Sequence, residues 1–188
     1  MLDKINLLTL GKNTQNDSIF LIFGDITDDI AQTTVEWIIN NNFAPGEEQP
    51  EVLTLMINSR GGDLQSAWAI IDVMRGSSIP IRVIGLGQIA SAGLLIFTAG
   101  KKGSRILTEN TSIMSHQYFW GAVGKHHELM AVQKEYSLTQ ERLIAHFKKV
   151  TGLSEKDINE KLMPPHDVYL SAKEAKELGL CDEVKTLS

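Results

Sequence analysis

The sequence predicts an α/β fold in which parallel strands are joined by helices. Short apolar runs of strand length alternate with segments whose apolar residues recur every three or four positions. This alternation is typical of βαβ units with right-handed crossovers. The chain has 188 residues, of which 43% are apolar, and this is enough to bury the core of one domain.

The first half of the chain contains three strand–helix pairs. Residues 1–17 are polar and rich in turn-forming residues, so we expect a short N-terminal arm there. Apolar runs that are closed by Gly or opened by Pro predict strands at 19–23, 52–57 and 81–86. The helices that follow these strands are predicted at 28–42 with Asp28 as N-cap, at 64–74, and from Ser91 to residue 100.

The second half of the chain contains a long helix between short elements. Strands are predicted at 104–108 and 112–115, and a polar segment with interspersed glycines follows at 117–126. Capping-box patterns that begin at Ser154 and Ser171 predict the starts of two further helices. The long helix is predicted from one apolar stripe, whose members are Leu129, Val132, Tyr136, Leu143, Phe147 and Val150.

Composition and charge argue against several functional classes. The formal net charge is −5 with both signs mixed along the chain, which favours neither nucleic-acid binding nor attachment to an anionic membrane. The single cysteine, Cys181, excludes an intrachain disulfide and is interpreted as a small buried apolar residue. No apolar run has the length of a signal peptide core or a membrane span, so we expect a cytoplasmic protein. His126 and His127 precede Glu128, but neighbouring helical residues point apart and chelate one metal ion poorly.

A serine flanked by small residues follows the third predicted strand. Ser91 lies between Ala90 and Ala92, and this arrangement would expose its hydroxyl at a tight strand-to-helix turn. Amide hydrogens at the start of a helix suit a developing oxyanion. The alternative is a serine that caps the helix, which is common for such a string.

Three further segments at predicted strand ends supply residues that a serine nucleophile requires. Gly61 and Gly62 form either a plain turn or a backbone that donates an amide hydrogen to a reacting carbonyl, for which the absence of Cβ is needed. His116 is either a structural histidine or the base that activates the serine. Asp167, taken alone, is typical of a surface turn after two prolines.

Together these segments resemble the ClpP family, the proteolytic subunit of the Clp protease. The resemblance extends from about Ser18 to the end of the chain. It is carried by four stretches: Ile57-Asn58-Ser59-Arg60-Gly61-Gly62, Gln88-Ile89-Ala90-Ser91-Ala92-Gly93, Met114-Ser115-His116-Gln117, and Asp167 before Leu170-Ser171-Ala172-Lys173-Glu174-Ala175.

The resemblance implies a fold and a set of site residues. The fold would be a ClpP/crotonase-like spiral of right-handed ββα and βαβ units, with a single domain at 18–188 and a protruding strand–helix handle at about 117–150. Ser91 would be the nucleophile, His116 the base and Asp167 the group that orients it. The backbone amides of Gly62 and Ala92 would form the oxyanion hole, and an extended substrate would add as a β-strand along Gly61, Gln117, Tyr118, Gly121 and Val123.

The resemblance also implies partners. Substrates would be polypeptides, subunits of this chain would form stacked heptameric rings, and no cofactor would be bound, since only a partner ATPase uses ATP. Tyrosines that line the ATPase-docking pocket in the family are replaced here by Thr54 and Met56. The resemblance therefore implies a Clp ATPase as partner, with a docking pocket that lacks these tyrosines.

Other departures concern the substrate side of the predicted site. Arg60 stands where the family usually has proline, and Ala92 where methionine is common. Because only the amide of Ala92 is used, the chemistry should survive while the adjoining pocket changes shape. The aromatic residues 118–120 replace proline and smaller residues, so we expect a different peptide preference.

Three functions remain under consideration. The first is a serine endopeptidase that cleaves peptides and unfolded proteins inside a ring-shaped chamber through an acyl-enzyme. The second is a catalytically silent or regulatory ring subunit, against which the intact Ser91, His116 and Asp167 argue. The third is a crotonase-type acyl-CoA enzyme, which shares the fold but would need a coenzyme A site with no visible counterpart in the sequence.

Overall fold

The computed structural model describes Lys4–Ile5 and residues 18–187. The remainder of the predicted arm at 1–17 lies outside the described residues. The chain divides into two compact units. The first unit contains the described residues up to Met114 and those from Tyr169 onward, and the second unit is Ser115–Val168.

A parallel sheet forms the framework of the first unit. Its strand order is β1-β8-β5-β4-β3-β2, and β6 pairs with β4 and β7 beside this path. Every strand pair with an assigned register is parallel, which confirms the predicted α/β class. The strands are β1 Lys4–Ile5, β2 Ile19–Ile26, β3 Leu53–Gly62, β4 Ile81–Ala90, β5 Arg105–Thr108, β6 Ser112–Ser115, β7 Val168–Ser171 and β8 Glu183–Leu187.

Helices connect and cover these strands. In the first unit, α1 packs on α2, α2 packs on α3, and α3 packs on β3 and β4. All residues of α3 are buried, so this short helix belongs to the core. The helices are α1 Asp28–Asn42, α2 Leu64–Gly76, α3 Ala92–Thr98, α4 His126–Thr151, α5 Glu155–Lys161 and α6 Ala172–Glu177.

The first strand–helix junction differs from the prediction at both of its boundaries. Gly24 does not end β2 but lies at a register shift with φ +100°, after which the strand continues to Ile26. The N-cap of α1 is Thr27 rather than Asp28, because the Thr27 hydroxyl accepts the Ile30 amide hydrogen at 3.3 Å. Asp28 is the first helical residue and accepts a hydrogen bond from the Ser66 hydroxyl at 2.6 Å.

Strands β3 and β4 each extend beyond their apolar runs, and the additional residues form part of the candidate site. β3 continues through five polar or small residues, and its last two, Gly61 and Gly62, pair with Asp25 and Ile26. β4 continues to Ala90, which pairs with Met114 of β6. The ends of β2, β3, β4 and β6 therefore lie along one edge of the sheet, where open α/β folds place their reactive groups.

A buried ion pair joins β5 to the start of β8. Arg105 is 3% exposed, and its guanidinium contacts the Asp182 carboxylate at 2.6 Å and 3.0 Å. The same carboxylate accepts the backbone amide hydrogens of Gly103 and Arg105. Burial alone would raise the pKa of Asp182, but the hydrogen bonds and charge of Arg105 lower it overall.

The second unit contains α4 and α5. α4 spans His126–Thr151 and ends at Gly152, which adopts a left-handed φ of 78°. The predicted apolar stripe is buried only toward the C-terminal end of this helix, at Leu143 and Phe147, whereas Leu129 is 39% exposed. The predicted capping box at Ser154 is half formed. The Ser154 hydroxyl accepts the Asp157 amide hydrogen, but the Asp157 carboxylate accepts a hydrogen bond from the Ser154 hydroxyl and not from its backbone amide. The capping box at Ser171 in the first unit is complete.

Within the described residues, no helix is long and apolar enough to cross a bilayer.

Candidate active site

Ser91 forms the turn between β4 and α3. It adopts φ 51° and ψ −123°, and it is the single non-glycine residue with positive φ among those the structure describes. An L-residue held in this sparsely populated region costs about 1–3 kcal/mol and persists only where its surroundings enforce it. A strained strand-to-helix turn with a serine at its apex is also the geometry of hydrolase nucleophile elbows, although the Gly-x-Ser-x-Gly sequence is absent here.

The alternative that the Ser91 side chain caps the following helix is wrong. Ser91 occupies the N-cap position of α3, but its side chain makes no capping hydrogen bond to the helix. Its backbone holds the turn instead: the amide donates to the Met114 carbonyl at 3.0 Å, and its carbonyl accepts from Leu94 at 3.0 Å. The hydroxyl is therefore not used to satisfy the helix terminus.

Gly61 lies directly against this turn. It is buried with φ +103°, and a Cβ placed on it would lie 2.7 Å from the Ser91 Cβ and 3.1 Å from the Ala92 nitrogen. No side chain fits in that space, and the backbone conformation also favours glycine. The end of β3 and the Ser91 turn are thus in backbone contact, as the separation by one βαβ unit predicts.

Gly62 is exposed and has φ +145°. A Cβ at Gly62 would overlap the backbone of Ile26, so the glycine allows β2 and β3 to stay paired up to the end of the sheet. Ala92 is 2% exposed and is the first residue of α3. Because the first amides of a helix have no intrahelical acceptor, the backbone of Ala92 is suited to donate to an anionic oxygen.

Two polar residues near the end of β3 were not singled out from the sequence. Ser59 is 1% exposed, and its hydroxyl accepts the Gly61 amide hydrogen at 3.1 Å. The Asn58 side-chain oxygen accepts the amide hydrogen of Gln88 at 3.2 Å, beside Gly87 with φ +61°. The sequence signal that could have indicated them is the change from apolar to polar residues after Ile57, within a strand that continues to Gly62.

His116 and Asp167 lie together in the second unit, although 50 positions separate them in the sequence. His116 Nδ1 is 3.9 Å from Asp167 Oδ1, and the two side chains are 27% and 53% exposed. This distance permits electrostatic attraction but is too long for a hydrogen bond. Such contacts often tighten only when a substrate or a transition-state analogue is bound.

The segment before His116 is anchored within the second unit. Ser115 is 3% exposed, and its hydroxyl donates to the carbonyl of Leu162 at 2.5 Å. Leu162 follows α5, and Asp167 lies five residues further along the chain. The bond between Ser115 and Leu162 therefore restricts how far His116 can move away from the Asp167 segment.

The predicted substrate segment rests on α4 through aromatic side chains. Tyr118 stacks on Tyr136 with ring centroids 6.2 Å apart, and Trp120 contacts the same ring in a tilted arrangement with centroids 4.8 Å apart. Gln117, Gly121 and Val123 are exposed, as is Phe119 at 88%. No strand is assigned between β6 and α4, so the strand-like start predicted for the handle is not a regular strand within this chain. Tyr136 was predicted as a member of the apolar stripe, and its stacking role was not anticipated.

Residues 6–187 match the family model described as Clp protease. The chain belongs to the Clp protease family. Members of this family are serine-type peptidases that generally form oligomeric rings and act on polypeptides. The match covers both units of the Clp protease chain, and it includes every residue that the resemblance assigned to the site.

Proposed function

We propose that this chain is a serine endopeptidase in which Ser91 is the nucleophile, His116 the general base and Asp167 the group that orients His116. The observation that carries the proposal is the strained turn at Ser91, whose hydroxyl is not used for helix capping and whose backbone packs on Gly61. Backbone strain of this kind lowers the stability of the fold, and residues that carry it are concentrated at functional sites.

Acylation would proceed by ordinary acyl transfer. The Ser91 Oγ attacks the scissile carbonyl carbon while its proton passes to His116, and the carbonyl electron pair moves to the oxygen. The amide hydrogens of Gly62 and Ala92 stabilise that oxyanion. When the intermediate collapses, the C–N bond breaks and the leaving amine takes the proton from His116, which leaves an ester on Ser91.

Deacylation repeats these steps with water as the nucleophile. Water gives a proton to His116 and attacks the ester carbon. The second intermediate then expels the Ser91 oxygen, which recovers the proton from His116 and releases the peptide acid. No step consumes ATP or needs a metal ion, and we propose that ATP is used only by a partner ATPase.

We propose that the substrate is an unfolded polypeptide that lies along the backbone of residues 117–123 and Gly61. Backbone pairing recognises any sequence, while side-chain contacts set preference. Exposed Phe119 and the stacked Tyr118 and Trp120 would favour peptides with large apolar side chains. We further propose that the chain works in the cytoplasm as stacked heptameric rings that enclose the cleavage sites.

The test is hydrolysis of fluorescein-labelled casein by size-fractionated protein. Ser91→Ala should lower the turnover by about 10⁴-fold or more, because the nucleophile is lost while binding remains. Ser66→Ala is the control, since Ser66 is a buried serine on α2 whose hydroxyl donates to Asp28. Retained hydrolysis in Ser91→Ala, with assembly unchanged by sedimentation velocity, would remove the covalent mechanism.

A second candidate function has one observation in its favour. His116 Nδ1 and Asp167 Oδ1 lie 3.9 Å apart in the isolated chain, which is longer than a hydrogen bond between these two atoms. A regulatory ring subunit without activity of its own would show the same separation. Correctly assembled wild-type rings that fail to hydrolyse casein would favour this candidate.

A further inference from the structure

The Ser59 hydroxyl is hydrogen-bonded to the first residue of the Gly61–Gly62 pair. Ser59 is 1% exposed, and its Oγ accepts the amide hydrogen of Gly61 at 3.1 Å. Because that amide already donates to a buried acceptor, it is not the donor that we propose for the oxyanion. The next amide, that of Gly62, belongs to the exposed end of the strand.

The same side chain also packs on the first turn of α3. A Cβ placed on Gly93 would lie 3.1 Å from the Ser59 Cβ and 3.3 Å from its Oγ. Ser59 therefore contacts the residue before Gly62 by a hydrogen bond and the residue after Ala92 by van der Waals packing. These are the neighbours of the two amides that would form the oxyanion hole.

We infer that Ser59 is a positioning residue that fixes the Gly62 amide relative to the Ala92 amide. This inference rests on the proposed function, since it concerns the charge that develops during acyl transfer. Ser59 does not touch the substrate. Its role is to keep two preorganised donors at the spacing that one oxygen requires, and preorganisation of this kind lowers the transition state more than the ground state.

The direct test is Ser59→Ala, which removes the acceptor and leaves the glycines free to move. Loss of a whole oxyanion donor costs about 10²–10³-fold in kcat, so displacement of one donor should cost about tenfold. KM for a fluorogenic peptide should stay unchanged, because ground-state binding does not use the oxyanion. The affinity for a peptide aldehyde, whose hemiacetal oxygen occupies the oxyanion position, should fall by about the same factor as kcat.

Ser59→Cys covers the case in which Ser59→Ala loses its fold. The thiol is close in size, so it keeps the packing on Gly93, but it is a weak acceptor. It should also lower kcat and aldehyde affinity without changing KM. Ser66→Ala should change neither quantity, because the Ser66 hydroxyl bonds Asp28 and not the glycine pair.

The outcomes separate this inference from the proposed function. Wild-type protein that does not react with the aldehyde contradicts the proposed function and the inference together. Wild-type protein that reacts, while both Ser59 variants keep wild-type kcat and aldehyde affinity, contradicts the inference alone. Folded variants in which KM rises as much as kcat falls also contradict it, because a general structural role predicts that pattern.

Discussion

Gly61 and Ser91 are in contact so close that a methyl group on the glycine would lie 2.7 Å from the Cβ of the serine. Each residue also has a positive φ, of 103° at Gly61 and 51° at Ser91. A strained serine is therefore packed against a glycine that adopts its positive φ without strain, at the point where β3 and β4 end. We interpret this contact as the structural basis of the Ser91 turn.

Gly61→Ala tests this contact. The added Cβ must displace the Ser91 turn, so we expect both peptidase activity and labelling of Ser91 to fall by at least about 100-fold, in line with the cost of a misplaced reacting group. Gly103→Ala is the control, because Gly103 has φ +88° but nothing within 4 Å of the added Cβ. Both variants should lose about 1–2 kcal/mol of stability from the left-handed backbone alone, measured by urea unfolding. Equal activity in the two variants would show that contact with Ser91 is irrelevant.

The Arg105–Asp182 pair should make stability depend on pH. The folded-state pKa of Asp182 is below its ordinary value of 3.8, so the pair contributes stability above that value. The contribution is lost as pH falls through the lower, folded-state pKa. Asp182→Asn should lose about 2 kcal/mol near neutral pH, in line with the loss of a hydrogen bond to a charged group, and show a shallower decline under acid conditions.

The exposed Asp157–Lys161 pair provides the comparison for Asp182. The Lys161 and Ser154 contacts also lower the pKa of Asp157, but this pair lies on the surface. Asp157→Asn should therefore change stability far less than Asp182→Asn in urea titrations between about pH 3 and 7. If Asp157→Asn lost more stability than Asp182→Asn, burial would not determine how much these ion pairs contribute to the free energy of unfolding.

Cys181 should resist alkylation while the protein is folded. It is 3% exposed, and burial raises the pKa of its thiol from 9.0 to about 11. That change lowers the thiolate fraction about a hundredfold at pH 8, before the loss of access is counted. Iodoacetamide followed by mass spectrometry should modify Cys181 in urea but not in buffer. Rapid modification of the folded protein would show that the thiol is not buried as described.

Tyr136→Ala should weaken substrate binding more than turnover. Tyr136 supports Tyr118 and Trp120 by ring stacking, so its loss should release the segment that we propose to bind peptides. KM for a fluorogenic peptide should rise several-fold, and tryptophan emission should shift to the red. Ser137→Ala changes the next residue of the helix without altering a ring contact and should leave both readings unchanged. An unchanged KM in Tyr136→Ala would place the peptide elsewhere.

Much of the sheet could be predicted from the sequence, because buried parallel strands are nearly continuous apolar runs. Strands β5 and β6 lie within one residue of their predicted bounds, and the long helix α4 contains every member of the predicted apolar stripe. The ends of β3 and β4 were not predicted, because their last residues are polar or small. Their pairing with β2 and β6 depends on tertiary contacts at Gly62 and Ala90 that no local pattern contains.

The residue types of the candidate site could be proposed from the sequence, but its geometry could not. The pattern around Ser91 gave no indication of a positive φ, since that conformation is imposed by Gly61, Met114 and the buried helix α3. Ser59 was missed for a related reason. A serine in a strand has no periodic signature, and no local pattern predicts its hydrogen bond to Gly61, which has a φ of +103°. The expectation that His116 and Asp167 lie close together came from the family resemblance, because no local sequence pattern connects residues so far apart in the chain.

The most direct measurement is the labelling of Ser91 by a fluorophosphonate in purified, size-fractionated protein, with the modified residue mapped by mass spectrometry. The account predicts one adduct, on Ser91, which forms rapidly in wild-type protein and is lost in His116→Ala because the base is missing. Correctly assembled wild-type protein that takes no label, or that takes it equally well without His116, would contradict the assignment of Ser91 as an activated nucleophile.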